Sequence, residues 1–306
     1  MEALHVAFEL DDPRQRWTVT REPAISPAFA IAELFWMLAG KNEAPVLNYW
    51  NRQLPKYAGG GETYPGAYGH RLRTHFGLDQ IRGAVECLRA NPESRQVVLQ
   101  LWDATQDLPT RDGRPRSADV PCNVVSLLKV RGGRLHWTQV IRSNDIIRGF
   151  PYNVIQFTGL QEILAGWLGV GLGPYFQWSD SLHVYESDLS RFRATDDGRV
   201  EPSEDSLGTA VEEGEAMIAE LFSRLRGLVR DDLTKTQLEA VVRLDGHLGY
   251  QNLLAILGAE AARRRGWFDV MERVEAFNEN LALRQLWSRW KMGRASGRAK
   301  SARAGS

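Results

Sequence analysis

From Ile25 to Gly40 the chain reads ISPAFAIAELFWMLAG, apolar on almost every side, with Phe29, Ile31, Leu34, Phe35 and Leu38 in it and a single acid, Glu33. Ser26 offers an N-cap, Pro27 suits a first turn and Gly40 a stop, so the stretch predicts a deeply buried helix. A carboxylate inside such a helix is costly and asks for a reason. GLDQIRGAVECLRANPESR repeats a helical pattern on Leu78, Ile81, Val85 and Leu88, and QVVLQLWD follows with strand character. CNVVSLLKV, the turn RGG and RLHWTQVIR read as an antiparallel hairpin, because Gly132 and Gly133 supply the positive φ such a turn needs. NVIQFTGLQEILAGWLG carries Ile155, Leu160, Ile163, Leu164 and Trp167 at helical spacing and is closed by Gly169, after which YFQWSDSLHVY resumes as a strand. The layout is α+β, strands packed on long core helices.

The pattern changes after Leu189. ATDDGRVEPSEDS reads as a linker or loop, and amphipathic segments around 208–229, 234–257 and 268–290 are helical by spacing. The end, KMGRASGRAKSARAGS, is basic and small and is expected to be disordered. These shifts divide the chain into 1–190, a helical region 191–290 and a basic tail 291–306.

Composition narrows the possibilities. At 306 residues, 43% hydrophobic and 25% charged, the chain can bury a full core. No apolar run reaches the ~20 residues a membrane helix needs, and the start lacks the pattern of a signal peptide; a soluble cytoplasmic protein is the expectation. Thirty-eight basic residues balance 38 acidic ones, which leaves no field to gather nucleic acid. The two cysteines, Cys87 and Cys122, lack metal-ligand spacing, so no zinc site or disulfide framework is expected. GVGLGP follows a helix instead of a strand and reads as a helix stop, not a dinucleotide loop.

A lone cysteine beside a strand is ordinarily a small core hydrophobe, and Cys87, on the apolar side of its helix, is read that way. Cys122 differs in its company. A thiolate needs positive charge nearby, and the hairpin can carry Arg142 back toward it.

The stretches AELFWMLAG, YPGAYGHRLR, NPESRQVVLQLWD, DVPCNVV, RSND, GFPYN and SDSLHVY come in the order and approximate spacing of thymidylate synthase and its pyrimidine hydroxymethylase relatives, from about Phe8 to Asp188. By these seven stretches the chain resembles that superfamily. The resemblance implies a mixed sheet packed on long core helices, here with a helical C-terminal extension, and an enzyme that moves one carbon from 5,10-methylenetetrahydrofolate to C5 of a pyrimidine nucleoside monophosphate. C5 is a poor nucleophile until a thiolate adds to C6. Cys122 matches that nucleophile, Arg142 the cation near thiol and phosphate, and Ser143 a further phosphate contact. Glu33 and Tyr68 match the groups that relay protons to the base. Asn153 matches the carboxamide that reads the uracil edge, although asparagine also suits a helix N-cap. His183 and Tyr185, two apart on a strand, match the pair on the sugar hydroxyl. Asp145 matches the aspartate facing the folate, with Trp50, Gly149 and Tyr152 as lesser candidates for the cofactor wall, where ordinary packing competes. Arg95 matches a phosphate-binding arginine given by the partner subunit, which implies a homodimer with shared sites.

The chain also departs from the pattern. Asn123 stands where the family has histidine, Gln96 replaces a second arginine, Ile141 replaces a glutamine, and an N-terminal arginine loop is expected before the first strand, which here lies almost at the start. The strands and apolar terminus that close over the folate give way to helices. The first reading is therefore transfer to deoxyuridylate with methyl as product. A second is hydroxymethylation of dUMP, dCMP or CMP, favoured where a looser lid admits water. A third is a non-catalytic nucleotide-binding relative, and a Cys-His-Asn hydrolase has little support because no histidine is placed to activate the thiol.

Overall fold

The computed structural model describes residues 1–195 and 199–304, with side chains through 294. Its centre is a six-stranded mixed sheet. Strand Glu2–Leu10 runs antiparallel to Gly171–His183, which lies parallel to Arg134–Ile141; Asn123–Arg131 and the short Val98–Gln100 continue antiparallel to the edge. Asn144–Asp145 adds two residues beside Gly171–His183. The expected hairpin turns at Gly132 and Gly133, with φ +56° and +69°.

Alternation decides the two faces of the sheet. Leu128, Val130, Leu135, Trp137 and Tyr175 point to one side and are buried. Against them pack the helices Pro27–Leu38 and Phe150–Leu168. The first is capped as expected, Ser26 Oγ accepting from Phe29 N at 3.2 Å. Eleven of its twelve residues are buried; Glu33 alone keeps some exposed surface, although its carboxylate Oε2 is buried. On the opposite face Phe176, Trp178, Val140, Val125 and Leu127 form an apolar surface that no other part of the described chain covers fully; Trp178 is 43% exposed and Val98, at the edge, 49%.

Several local expectations shift. Asp79 caps the helix Gln80–Ala90, its carboxylate accepting from Arg82 N, so Leu78 falls outside the helix and is exposed. Cys87 lies on the solvent side of that helix, not the apolar side, because Ile81, Ala84, Val85 and Leu88 fill the inward stripe. The strand expected over 96–103 narrows to Val98–Gln100. Three amphipathic segments resolve into five helices, Val211–Leu228, Lys235–Val241, Leu248–Arg265, Phe268–Glu275 and Leu281–Ala304. Gly246, with φ +85°, breaks the second segment, and Asn280 Oδ1 starts the last helix by accepting from Leu283 N at 2.8 Å. Residues 196–198 of the expected linker, and the side chains of most of the basic tail, lie outside the described residues.

The C-terminal helices share the central core. Leu253, Leu254, Ile256 and Leu257 are buried, and their helix packs on Pro27–Leu38. Glu162, buried on Phe150–Leu168, accepts from Arg14 at 3.0 Å, from Arg16, and from Leu207 N at 3.2 Å. Burial alone would raise this carboxyl; Arg16 and Arg14 hold it below its ordinary range.

Candidate active site

Cys122 lies just before strand Asn123–Arg131, after the buried Pro121, where the ladder to Arg134–Ile141 slips between Asn123 and Val125. That irregularity frees the thiol from the ladder's alternation. Arg142 fixes the approach to it. Its backbone N–H donates to Cys122 O at 2.9 Å, its Nε to Pro121 O at 2.9 Å and a terminal nitrogen to Val120 O at 3.2 Å, while the guanidinium covers the Trp102 ring at 5.2 Å. Burial pushes the thiol up from its ordinary value, Arg142 draws it down and Asp119 adds to the rise. The balance favours the thiol over the thiolate, so Arg142 is the group beside it that favours ionisation.

Next to the thiol is a compact set of acids and amides. The segment bearing Tyr68 crosses the end of helix Pro27–Leu38 so closely that a Cβ on Gly69 would meet Met37 O at 2.1 Å; only glycine permits this crossing. Burial, then Cys122, Glu33 and Asp119, raise the Tyr68 hydroxyl, opposed by the neighbouring Asn123 amide. Glu33 is pushed up to about 8, first by burial and then by Asp119, against the neighbouring Gln156 amide. A carboxyl in that range holds its proton at neutral pH and can give it up. Asp119 is itself raised by burial, and its Oδ2 accepts from Gly66 N at 2.7 Å.

Asn123 is fully buried, and its Nδ2 donates to Asn153 Oδ1 at 3.4 Å. Asn153 does not cap its helix: Gly149 is the N-cap, and Asn153 lies one turn inside with its backbone N–H bonded to Gly149 O. Glu33 Oε2, Asn123 Oδ1, Gln156 Oε1 and Asn144 Oδ1 are buried without a hydrogen-bond partner. Buried polar atoms are nearly always paired, so Glu33, Asn123 and Gln156, on the segments around the cysteine, mark a place where a polar ligand or ordered water completes the set.

The outer candidates form a second group. Asp145 Oδ1 accepts from Ile147 N and Arg148 N at 2.8 and 2.9 Å, shaping the turn before helix Phe150–Leu168. Arg148 binds the buried Asp188 through two nitrogens, and its NH1 donates to Tyr57 Oη at 2.6 Å. Tyr152 Oη accepts from Ser26 N at 3.1 Å, and its ring packs edge-on to Phe29 at 5.1 Å. His183 ends its strand opposite Asp145; Tyr185 lies past the strand, exposed, with the two rings 5.4 Å apart. Ser143 follows Arg142, half-buried. Trp50 is in the core, edge-on to Tyr49 and below Arg264. Arg95 is exposed on the turn before Val98–Gln100 and makes no hydrogen bond or ion pair among the described residues.

The geometry thus joins Cys122, Arg142, Glu33, Tyr68 and Asn153, and puts Asp145, Tyr152, Gly149 and His183 around one turn. It leaves Arg95 and Trp50 apart from the thiol's neighbours. Gln156 and Asp119 were not anticipated. Gln156 is three residues beyond Asn153, hence on the same helix face, and that spacing was available in the sequence; Asp119 carried no such mark. A wide basin of about 780 Å³ lies elsewhere, between helices Val211–Leu228 and Lys235–Val241 and lined by Lys41, Arg224, Arg226 and Arg230, with neither cysteine in its lining. Among the described residues no group of His, Cys, Asp or Glu is placed to hold a metal ion, and no helix is long and apolar enough to cross a membrane.

Comparison with known proteins identifies the family. The thymidylate synthase family profile matches residues 5–198. A deoxyuridylate hydroxymethyltransferase of Bacillus phage SP01 is 33% identical over 231 residues, 72% of this chain and 58% of that protein. Another of that name from Pseudomonas phage M6 is 36% identical over 181 residues, 58% of this chain and 50% of the relative. A putative thymidylate synthase of Methanothermobacter thermautotrophicus is 33% identical over 150 residues, 47% of this chain and 64% of that protein. The chain spans between about half and just under two thirds of the length of these relatives.

Proposed function

The chain belongs to the thymidylate synthase family, and on that premise we propose that it adds a one-carbon unit to C5 of deoxyuridine monophosphate through a covalent bond between Cys122 Sγ and C6 of the base. The observation that carries this reading is the set of unpartnered buried polar atoms, Glu33 Oε2, Asn123 Oδ1 and Gln156 Oε1, grouped beside the half-buried Cys122.

In this reading the Cys122 thiolate attacks C6 and turns C5 into a nucleophile. Arg142 and Ser143 meet the phosphate and favour the thiolate by charge. The Asn153 carboxamide offers a donor to O4 and an acceptor to N3–H. Glu33, protonated near neutral pH, supplies a proton toward the base oxygen as charge builds on it, with Tyr68 beside it. His183 and Tyr185 take the sugar hydroxyl.

The one-carbon donor of the family reading is 5,10-methylenetetrahydrofolate. The residues present fit it: Asp145 commits one carboxylate oxygen to its own turn and keeps the other, and Tyr152 and Gly149 are half-buried around that turn. These residues would hold and orient the heterocycle, which when bound supplies the carbon.

We read the product as 5-hydroxymethyl. Two of the relatives carry that activity in their names, and the chain past residue 198, outside the matched family segment, is helical. A site that admits water directs water, not hydride, to the exocyclic carbon. Methyl transfer is the second reading, supported by the similarity to putative thymidylate synthases. Product mass decides between them: hydroxymethyl leaves tetrahydrofolate, methyl leaves an equal amount of dihydrofolate. Incubation with 5-fluorodeoxyuridylate and the folate is expected to yield a stable adduct on the Cys122 peptide, and binding without any adduct would favour a non-catalytic relative.

The apolar sheet face fits a second copy of the chain, so that Arg95 of each subunit reaches the other's phosphate. Trp178→Glu, placing a charge in that face, is expected to turn a dimer into a monomer by light scattering and to weaken nucleotide binding with it. A dimer that persists unchanged would count against this assembly.

A further inference from the structure

The residue that departs most visibly from the family pattern also makes the most specific contact. Asn123 is fully buried, Asn153 is 6% exposed, and Asn123 Nδ2 donates to Asn153 Oδ1. A carboxamide has two unlike ends, one accepting and one donating twice. With its oxygen turned to Asn123, Asn153 has its N–H groups turned away, toward the side on which a ligand must lie.

We propose that Asn123 is a positioning residue that sets base choice, by holding the Asn153 carboxamide in the one orientation that accepts a 4-oxo pyrimidine and refuses a 4-amino one. The inference rests on the reading of Cys122 and Asn153 as a pyrimidine site and goes beyond it in naming what fixes the specificity. A 4-oxo base presents an acceptor at C4 and a donor at N3. A free Asn153 N–H meets the first, and the second lone pair of Oδ1 the other. A 4-amino base presents the reverse, and to read it Asn153 must turn by half a rotation. That turn points its N–H groups at the N–H groups of Asn123, two donors facing each other at a buried contact. Rotating Asn123 as well would carry its N–H groups to the side where its Oδ1 now finds no protein partner. A site built around fixed hydrogen bonds rejects the mismatched ligand because its own buried groups are left unpaired. Repulsion toward the wrong base thus supplements attraction to the right one.

The test is the ratio of two binding constants, which a general weakening of the site would leave unchanged. Binding of deoxyuridylate and of deoxycytidylate is measured by calorimetry, without folate, on the intact chain and on Asn123→Ala and Asn123→Asp. The intact chain is expected to prefer deoxyuridylate by about 100-fold or more. In Asn123→Ala the Asn153 amide is free to turn, and the preference is expected to shrink to about 10-fold or less. Asn123→Asp, nearly isosteric and so a second route if the alanine variant does not fold, accepts where Asn123 donates, and is expected to move the preference toward deoxycytidylate. A ratio unchanged within about 2-fold in the folded variants would overturn the inference while leaving the site intact. An intact chain that prefers deoxycytidylate would overturn the orientation itself. Failure of both nucleotides to bind the intact chain would remove the pyrimidine site and this inference together.

Discussion

Replacing Cys122 with alanine is expected to leave a folded protein that binds nucleotide and transfers no carbon, with a fall in turnover of about 10⁴-fold or more. The size follows from the chemistry. Without a bond at C6 there is no electron-rich C5, and nothing else near the base can substitute for sulfur. The fold should tolerate the change, because Cys122 is half-buried at a slip in the ladder and its segment is held by Arg142 through the carbonyls of Val120, Pro121 and Cys122. Single-turnover measurement with deoxyuridylate and methylenetetrahydrofolate, alongside a thermal melt, reads both. Turnover within about 10-fold of the intact chain would place the nucleophile elsewhere and end the covalent reading.

Glu33→Gln should separate activity from stability. The carboxyl has a folded value of about 8 against an ordinary 4.5, chiefly through burial. The folded chain therefore holds this proton more tightly than the unfolded one. The associated stability is complete below the ordinary value and is lost as pH rises through the folded one, so the intact chain should melt progressively lower between about pH 5 and 9. Glutamine keeps the shape and cannot ionise. The variant should lose this slope and, above about pH 8, melt higher than the intact chain, by an amount on the order of 1–3 kcal/mol. Over the same range its turnover should be lower by about 10²- to 10⁴-fold, since the proton needed at the base oxygen is gone. Melting curves of both proteins that run parallel across pH would mean that Glu33 is ordinarily ionised, and its role as the proton donor would fall.

Much of this site could be read from residue order because its chemistry is local in sequence. Cys122 follows Pro121 at a strand, Arg142 returns through a two-glycine hairpin, and Glu33 stands out as the one acid in an apolar helix. What remained hidden depended on contacts without a sequence period. Asn123 was visible only as a departure, since its value lies in facing Asn153 thirty residues on. Asp119 works by proximity to Glu33 and Tyr68, which the chain brings together only in three dimensions. Spacing also misled where a cap moved a boundary: Asp79 leaves Leu78 outside its helix, and Gly149 takes the cap position that Asn153 could have held. The long amphipathic segments concealed breaks at Gly246 and before Asn280, because helical periodicity persists across a short interruption.

The hub at Glu162 ties distant parts of the chain to one carboxylate: Arg14 and Arg16 near the beginning and the backbone of Leu207 well past the catalytic segment. On the ribosome these arrive at very different times. The nascent sheet and its two central helices emerge before Leu207 and before the apolar row at 253–257 that covers Pro27–Leu38, so until those residues arrive the unfinished chain carries exposed hydrocarbon and an incompletely satisfied acid. Transiently uncovered apolar surface of this kind is what makes partly made chains prone to aggregate.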